Sequence, residues 1–143
     1  MMQVRSLIWL RVAVLVTAFT LYIVACALPA AAFSVASNDS IAYGLGLLLC
    51  GWIDGPQAFL PWSSNFLWLI AAALLVVGQP KLGWVFSMFG LLFASRVLLP
   101  YPGAVLLEAK YWWLGSHVAM ATGSTTACVW SWLCDPPRND SVP

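Results

Sequence analysis

From Leu7 to Leu28 the chain carries a single charged side chain, Arg11, and this stretch constrains the fold more than any other feature. A bilayer core about 30 Å thick is crossed by about 20 helical residues, and only backbone hydrogen-bonded within its own segment is stable there. The stretch meets that requirement. Thr17, Thr20 and Tyr22 are its other polar side chains, and Pro29 ends the helix. Arg11 lies one turn inside and reaches the head groups by snorkelling. The rest of the chain agrees: 62% of residues are hydrophobic and 8% charged. Soluble domains carry roughly 25% charged residues, so a water-soluble monomer is excluded. A formal net charge of +1 leaves no basic surface for neutralising phosphates, which excludes nucleic acid as a partner.

Three further apolar runs are long enough to cross. The second span is expected over residues 62–78, started by Pro61 and Ser63-Ser64-Asn65 and stopped by the turn Gly78-Gln79-Pro80-Lys81. The third covers 82–99 and is closed by Pro100-Tyr101-Pro102-Gly103. Glu108 and Lys110 hold the next loop at the water boundary, the fourth span covers 111–132, and 133–143 reads as a polar tail. The run over 41–53 is different. Asn38 and Asp39 are suited to cap a helix at Ile41, but that helix would reach only about 20 Å before Asp54-Gly55-Pro56-Gln57 stops it. Carrying it onward would bury Asp54 in hydrocarbon at a cost of about 2.5–3.5 kcal/mol. The expected fold is therefore all-α: one bundle of four transmembrane helices plus a short interfacial or re-entrant helix.

Two signals give the orientation. With the N-terminus inside, Arg5, Arg11, Lys81 and Arg138 lie on the cytoplasmic side, against Arg96 and Lys110 outside. A five-span alternative scores equally on charge, and Asp54 with its helix breakers decides against it. Trp and Tyr rings prefer the head-group level. Tyr22, Tyr43, Trp52, Trp62, Tyr101, Tyr111, Trp112 and Trp113 then mark the outer side, and Trp9, Trp84, Trp130 and Trp132 the inner. Only Trp68 is left near mid-span. Both termini are expected in the cytoplasm.

The first span has features of a removable leader, with Ala30-Ala31-Ala32 as a cleavage pattern and Ile23-Val24-Ala25-Cys26 as a lipoprotein-like one, but it is longer than a signal core and more spans follow. Asn38-Asp39-Ser40 and Asn139-Asp140-Ser141 match the glycosylation pattern on opposite sides of the membrane. The cysteines at 26, 50, 128 and 134 have no zinc-site spacing. Cys26 and Cys50 lie on the outer side, where a disulfide is permitted, and their default reading is two small unbonded hydrophobes. No metal or cofactor is expected.

Small residues recur at helical spacing on the last two spans: Gly83, Ser87, Gly90 and Ala94 on one, Gly115, Ala119, Gly123 and Ala127 on the other. Such rows let helix backbones approach in lipid. They are expected to face each other and close an antiparallel hairpin, with self-association as the alternative use. A second row on the last span, His117, Ser124, Cys128 and Ser131, falls within about 60° of one direction. Its opposite sector, Leu114, Val118, Val129 and Trp132, suits lipid, so this polar stripe should face the bundle interior. An intramembrane histidine can relay a proton or bind a ligand; more commonly it joins helices. Arg96 stands at a similar depth to His117; Asp54 or Glu108 could neutralise it as an ion pair, and snorkelling alone accounts for it equally well.

Gly51-Trp52, followed by the segment from Ala58 to Asn65 and by Tyr111-Trp112-Trp113-Leu114, resembles a group of small uncharacterised bacterial polytopic inner-membrane proteins. In that group a Gly-Trp turn precedes an Ala-Trp-x-Ala-Asn segment; here Phe59 and Ser64 stand in place of its Trp and Ala. The resemblance spans about residues 41–120 and implies a location, the inner membrane, and no activity.

No nucleophile elbow, zinc motif, P-loop or paired intramembrane aspartates are present, and Ser116 and His117 point about 100° apart as neighbours on a helix. An enzyme is not expected. The leading reading is a non-enzymatic accessory or structural protein acting through helix contacts, with the bilayer, another membrane protein or a second copy as partner. The alternative is a small transporter or channel component using the His117 stripe.

Overall fold

A computed structural model of the protein describes residues 2–35, 38–50, 56–99 and 104–134. Its elements follow the chain as α1 (Met2–Ala27), β1 (Pro29–Val35), β2 (Asn38–Tyr43), α2 (Gly44–Cys50), α3 (Pro56–Val76), α4 (Pro80–Ala94), a 3₁₀ turn (Ser95–Leu98), β3 (Ala104–Leu106) and α5 (Ala109–Cys134). Three helical stretches are long and apolar enough to cross a membrane: Leu7–Ala27, Phe59–Val76 and Pro80–Leu98. The chain is thus a mostly helical membrane protein. α5 matches these three in length, but His117 and its many hydroxyl residues make it less apolar.

The long helices pack up, down, up, down. α3 and α4 form a hairpin whose turn is fixed by Gly78, at φ +82°, where a side chain would be strained. That conformation lets the Gln79 amide reach the Leu74 carbonyl at 2.8 Å and the Gly78 amide the Leu75 carbonyl at 3.3 Å, closing the end of α3. Pro80 then opens α4, where its missing N–H costs no helical bond. α5 runs back along α1 and α4, and Lys81 at the start of α4 lies 5.4 Å from the Trp132 ring centroid near the end of α5.

The core is built from small residues, with the large apolar side chains turned outward. Ala18, Ala71, Ala72 and Ala127 are buried with Trp68, Leu75 and Met120. Ile8, Val16, Ile23, Val76, Phe89, Leu92, Val129 and Trp132 are exposed. This inversion is what a lipid environment rewards, because hydrocarbon outside gives no drive to bury large side chains while close backbone approach gains dispersion contacts.

A three-stranded antiparallel sheet of order β2-β1-β3 caps the end of the bundle where α1 finishes. The sheet corrects the expectation of an all-α chain, and β2 occupies the start of the helix expected over 41–53. Only Gly44–Cys50 is helical there, and residues 51–53 and Asp54 lie outside the described residues. The physical reason is backbone accounting. Once Pro29 ends α1, an extended segment exposes a donor and an acceptor at each residue, and a hairpin satisfies them where a capped helix at Ile41 could not. Phe33↔Ser40 and Ala32↔Ile41 set the register on one side of β1, and Ala32↔Val105 on the other. The Leu107 amide adds a bond to the Ala30 carbonyl at 2.9 Å. At Gly44 the chain crosses the end of α1 so closely that a side chain would overlap the Ala25 carbonyl oxygen.

The span boundaries shift accordingly. α3 starts at Pro56, earlier than the 62 expected, because Ser63, Ser64 and Asn65 are interior residues of that helix and not its start. The Ser63 hydroxyl donates to the Leu60 carbonyl at 2.9 Å, and the Ser64 hydroxyl lies 2.6 Å from the Pro61 carbonyl. The third span ends in a 3₁₀ turn instead of running as α-helix to 99. α5 extends two residues past 132, so Leu133 and Cys134 belong to the helix and the expected tail from 135 onward lies outside the described residues.

Candidate functional site

The glycines of the two small-residue rows do not face each other. A side chain built on Gly83 would touch the Ala71 carbonyl oxygen and Leu75, and one on Gly90 would touch Leu67, so the row of α4 seats on α3. Gly83, Ser87, Gly90 and Ala94 are all buried. On α5, Gly123 lies against Val14 so tightly that any side chain would overlap it, and Gly115 faces Leu21. That row, with Ala119 and Ala127 packed at the core, seats on α1. The hairpin expected between the two rows gives way to two separate contacts, α4 on α3 and α5 on α1, because each helix lies against two neighbours and turns its smallest face to the closer one.

The polar residues of the interior converge near the sheet end of the bundle. His117 is 1% exposed, and its Nδ1 lies 3.0 Å from the Trp113 carbonyl oxygen. A carbonyl only accepts, so Nδ1 carries the proton and Nε2 of the neutral ring accepts. Opposite Nε2, at 3.1 Å, stands the hydroxyl of Ser64 on α3, itself fully buried. That hydroxyl has one proton and two acceptors within reach, His117 Nε2 and the Pro61 carbonyl. The Trp113 ring meets the imidazole edge-on at 4.7 Å between centroids.

Asn65, next to Ser64, joins three helices. Its Oδ1 accepts from the Tyr22 hydroxyl of α1 at 2.9 Å and from Trp113 Nε1 of α5 at 2.8 Å. One turn below, Trp68 Nε1 donates to the Ser116 carbonyl at 3.3 Å, while its ring stacks on Tyr22 and takes the edge of Phe19. Trp62, one turn above, donates to the Leu48 carbonyl at 2.9 Å and ties α3 to α2. Ser64, Trp68, Ala71 and Leu75 recur at helical spacing on one buried face of α3, a pattern present in the sequence and obscured when Ser64 and Asn65 are taken as helix-start residues.

The stripe on α5 divides. Ser124 is fully buried and Cys128 and Ser131 are half-buried, but Ser124 Oγ donates to the Met120 carbonyl at 2.6 Å and Ser131 Oγ to the Cys128 carbonyl at 2.7 Å. Of the four, only His117 has a hydrogen-bond partner on another helix. Ser116, set aside as a neighbour pointing elsewhere, is also fully buried, and its hydroxyl donates to the Trp113 carbonyl at 2.7 Å. Of the two carboxylates open to Arg96, Glu108 does not pair with it, since both side chains are exposed and no ion pair occurs among the described residues, and Asp54 lies outside them. Arg96 sits in the 3₁₀ turn at the helix end, where its head is free to enter water. No group of His, Cys, Asp and Glu suited to hold a metal occurs among the described residues. Cys26 and Cys128 are free thiols.

The chain matches no protein-family model, no curated protein and no solved structure.

Proposed function

We propose that the protein is a non-enzymatic, four-span integral membrane protein that acts through helix contacts with a second copy or with another membrane protein. The observation that supports this reading is the mutual pairing of the interior polar groups. His117 with Ser64 and Asn65 with Tyr22 and Trp113 join α1, α3 and α5 to one another, the usual use of polar side chains as glue between helices in lipid. The runner-up, a transport path along His117, Ser124, Cys128 and Ser131, draws no comparable support, since the serine hydroxyls turn back to carbonyls of their own helix.

Counting α5 as the fourth span is supported by how it hides its polarity. Ser116, His117 and Ser124 are inside the bundle, and the exposed Thr122, Thr125 and Thr126 donate to carbonyls at 2.8, 2.8 and 2.9 Å on their own helix. Val118, Val129 and Trp132 complete an apolar outer face. The short α2, held by Trp62 against the sheet end, fits an interfacial position. With an even number of crossings both termini share one compartment, and Arg5, Arg11, Lys81 and Arg138 favour the cytoplasmic face of a bacterial inner membrane.

Two measurements test the proposal. A compartment reporter fused after Pro143 is expected on the cytoplasmic side; an exterior signal would remove the fourth span. Photo-crosslinkers at Phe89 and Leu92, on the exposed face of α4, are expected to give discrete higher-mass species in native membranes. Recovery of monomer alone, in every lipid and mild detergent tried, would overturn the assembly role.

A further inference from the structure

The end of the bundle opposite the sheet holds two cations, Arg11 and Lys81, that meet no carboxylate among the described residues. Arg11 of α1 reaches the turn between α3 and α4, where a side chain on Gly78 would stand 3.3 Å from its Nη1. Its Nε is buried and has no hydrogen-bond partner. Among the described residues the guanidinium makes no hydrogen bond or ion pair. Three residues beyond Gly78, exposed Lys81 has its ammonium over the ring of Trp132. Of the acidic residues described, Asp39 is a residue of β2 and Glu108 stands just before α5, both positions at the sheet end.

A guanidinium one turn inside an apolar helix is costly unless an acceptor meets it, and a phosphate matches its fork of N–H donors with two parallel, charge-assisted bonds. The flanks say where that phosphate comes from. Ile8 and Val12 on α1, Val76 and Val77 at the end of α3 and Leu82 on α4 are exposed apolar side chains around the two cations, a surface for acyl chains. A Lys ammonium over a Trp ring is itself a pairing of the head-group level. From this juxtaposition we infer that Arg11 and Lys81 form a binding site for the phosphate of an anionic phospholipid at the turn end of the bundle. The inference rests on α1, α3 and α4 lying in a membrane and is independent of the assembly role.

The test is native mass spectrometry of the full chain in mild detergent, exchanged separately against phosphatidylglycerol, phosphatidylcholine and inorganic phosphate. Wild-type protein is expected to retain phosphatidylglycerol in preference to phosphatidylcholine. Arg11→Gln should lower that retention about tenfold, as loss of a charged hydrogen-bonding group implies. Lys81→Gln should lower it about fivefold, the worth of one surface cation near anionic lipid. Arg96→Gln and Lys110→Gln, at the other end, should leave it unchanged. Equal retention by wild type and Arg11→Gln, or equal retention of the two lipids, overturns the site. Equal thermal protection by inorganic phosphate and by phosphatidylglycerol overturns the lipid assignment. Should Arg11→Gln fail to fold, Lys81→Gln decides, because that side chain is exposed and full retention without it overturns the site. Release of wild-type protein from membranes by alkaline carbonate would instead refute the membrane reading, a separable result.

Discussion

The two ends of the bundle handle polarity in opposite ways. At the sheet end, Tyr22, Ser64, Asn65, Trp113, Ser116 and His117 hydrogen-bond to one another or to backbone, and the network crosses α1, α3 and α5. At the turn end the contacts are apolar and small, Leu75 against Gly83 and Val14 against Gly123, while Arg11 and Lys81 meet no carboxylate among the described residues. The difference teaches what holds each half. Hydrogen bonds in a low-dielectric interior fix which helix faces which, because a wrong pairing leaves a buried donor unmet. Small-residue packing fixes only how closely the helices approach. The sheet end therefore specifies the arrangement, and the turn end sets how closely the helices pack.

The largest expected effect lies where the halves join. Trp68→Ala removes the ring stacked on Tyr22 and should lower stability by about 3–5 kcal/mol, read from reversible unfolding in mixed micelles. Loss under 1 kcal/mol would mean that the aromatic joint does not couple the ends. Next comes Gly123→Val, whose added carbons overlap Val14 and force α1 off α5. A penalty of about 1–3 kcal/mol is expected, together with faster proteolysis. If the variant instead matches wild type, the close contact of the turn end carries no weight.

Asn65→Leu sharpens the comparison from the other side. It strands the Tyr22 hydroxyl and Trp113 N–H, and the cost should be about 1–3 kcal/mol. Adding Tyr22→Phe in a double-mutant cycle should recover part of that loss, and strict additivity would show that the network is not one unit. The smallest effect belongs to Ser124→Ala. Because that hydroxyl bonds only within its own helix, stability should change by less than about 0.5 kcal/mol and proteoliposome flux should stay at its background. A flux that appears in wild type and vanishes in this variant would revive the transport reading.

Much of this arrangement is legible in the amino-acid order. The apolar runs, the Gly78-Gln79-Pro80-Lys81 turn and the outward face of Val118, Val129 and Trp132 follow from local composition and periodicity, which act over a few residues. His117 stood out because an ionisable group in an apolar stretch is costly wherever it lies. Its partner did not, since Ser64 is separated from it by 53 positions and carries an ordinary helix-start signature. The hairpin of β1 and β2 was obscured for a related reason: Asn38 and Asp39 serve a strand as readily as a cap, and the choice depends on β3, far along the chain.

The amino-acid order by itself determined that this chain carries apolar helices long enough to cross a bilayer, where the turn between α3 and α4 falls, and that Val118, Val129 and Trp132 face outward. Those properties depend on transfer free energies and helical periodicity, both read from neighbouring residues. Only the tertiary structure decided that the glycine row of α4 seats on α3 and that of α5 on α1, that Ser64 meets His117, and that a sheet closes one end. Each of these is a choice among faces of similar apolarity, and it is made by close approach and by mutual satisfaction of buried polar groups, neither of which exists until the helices are side by side.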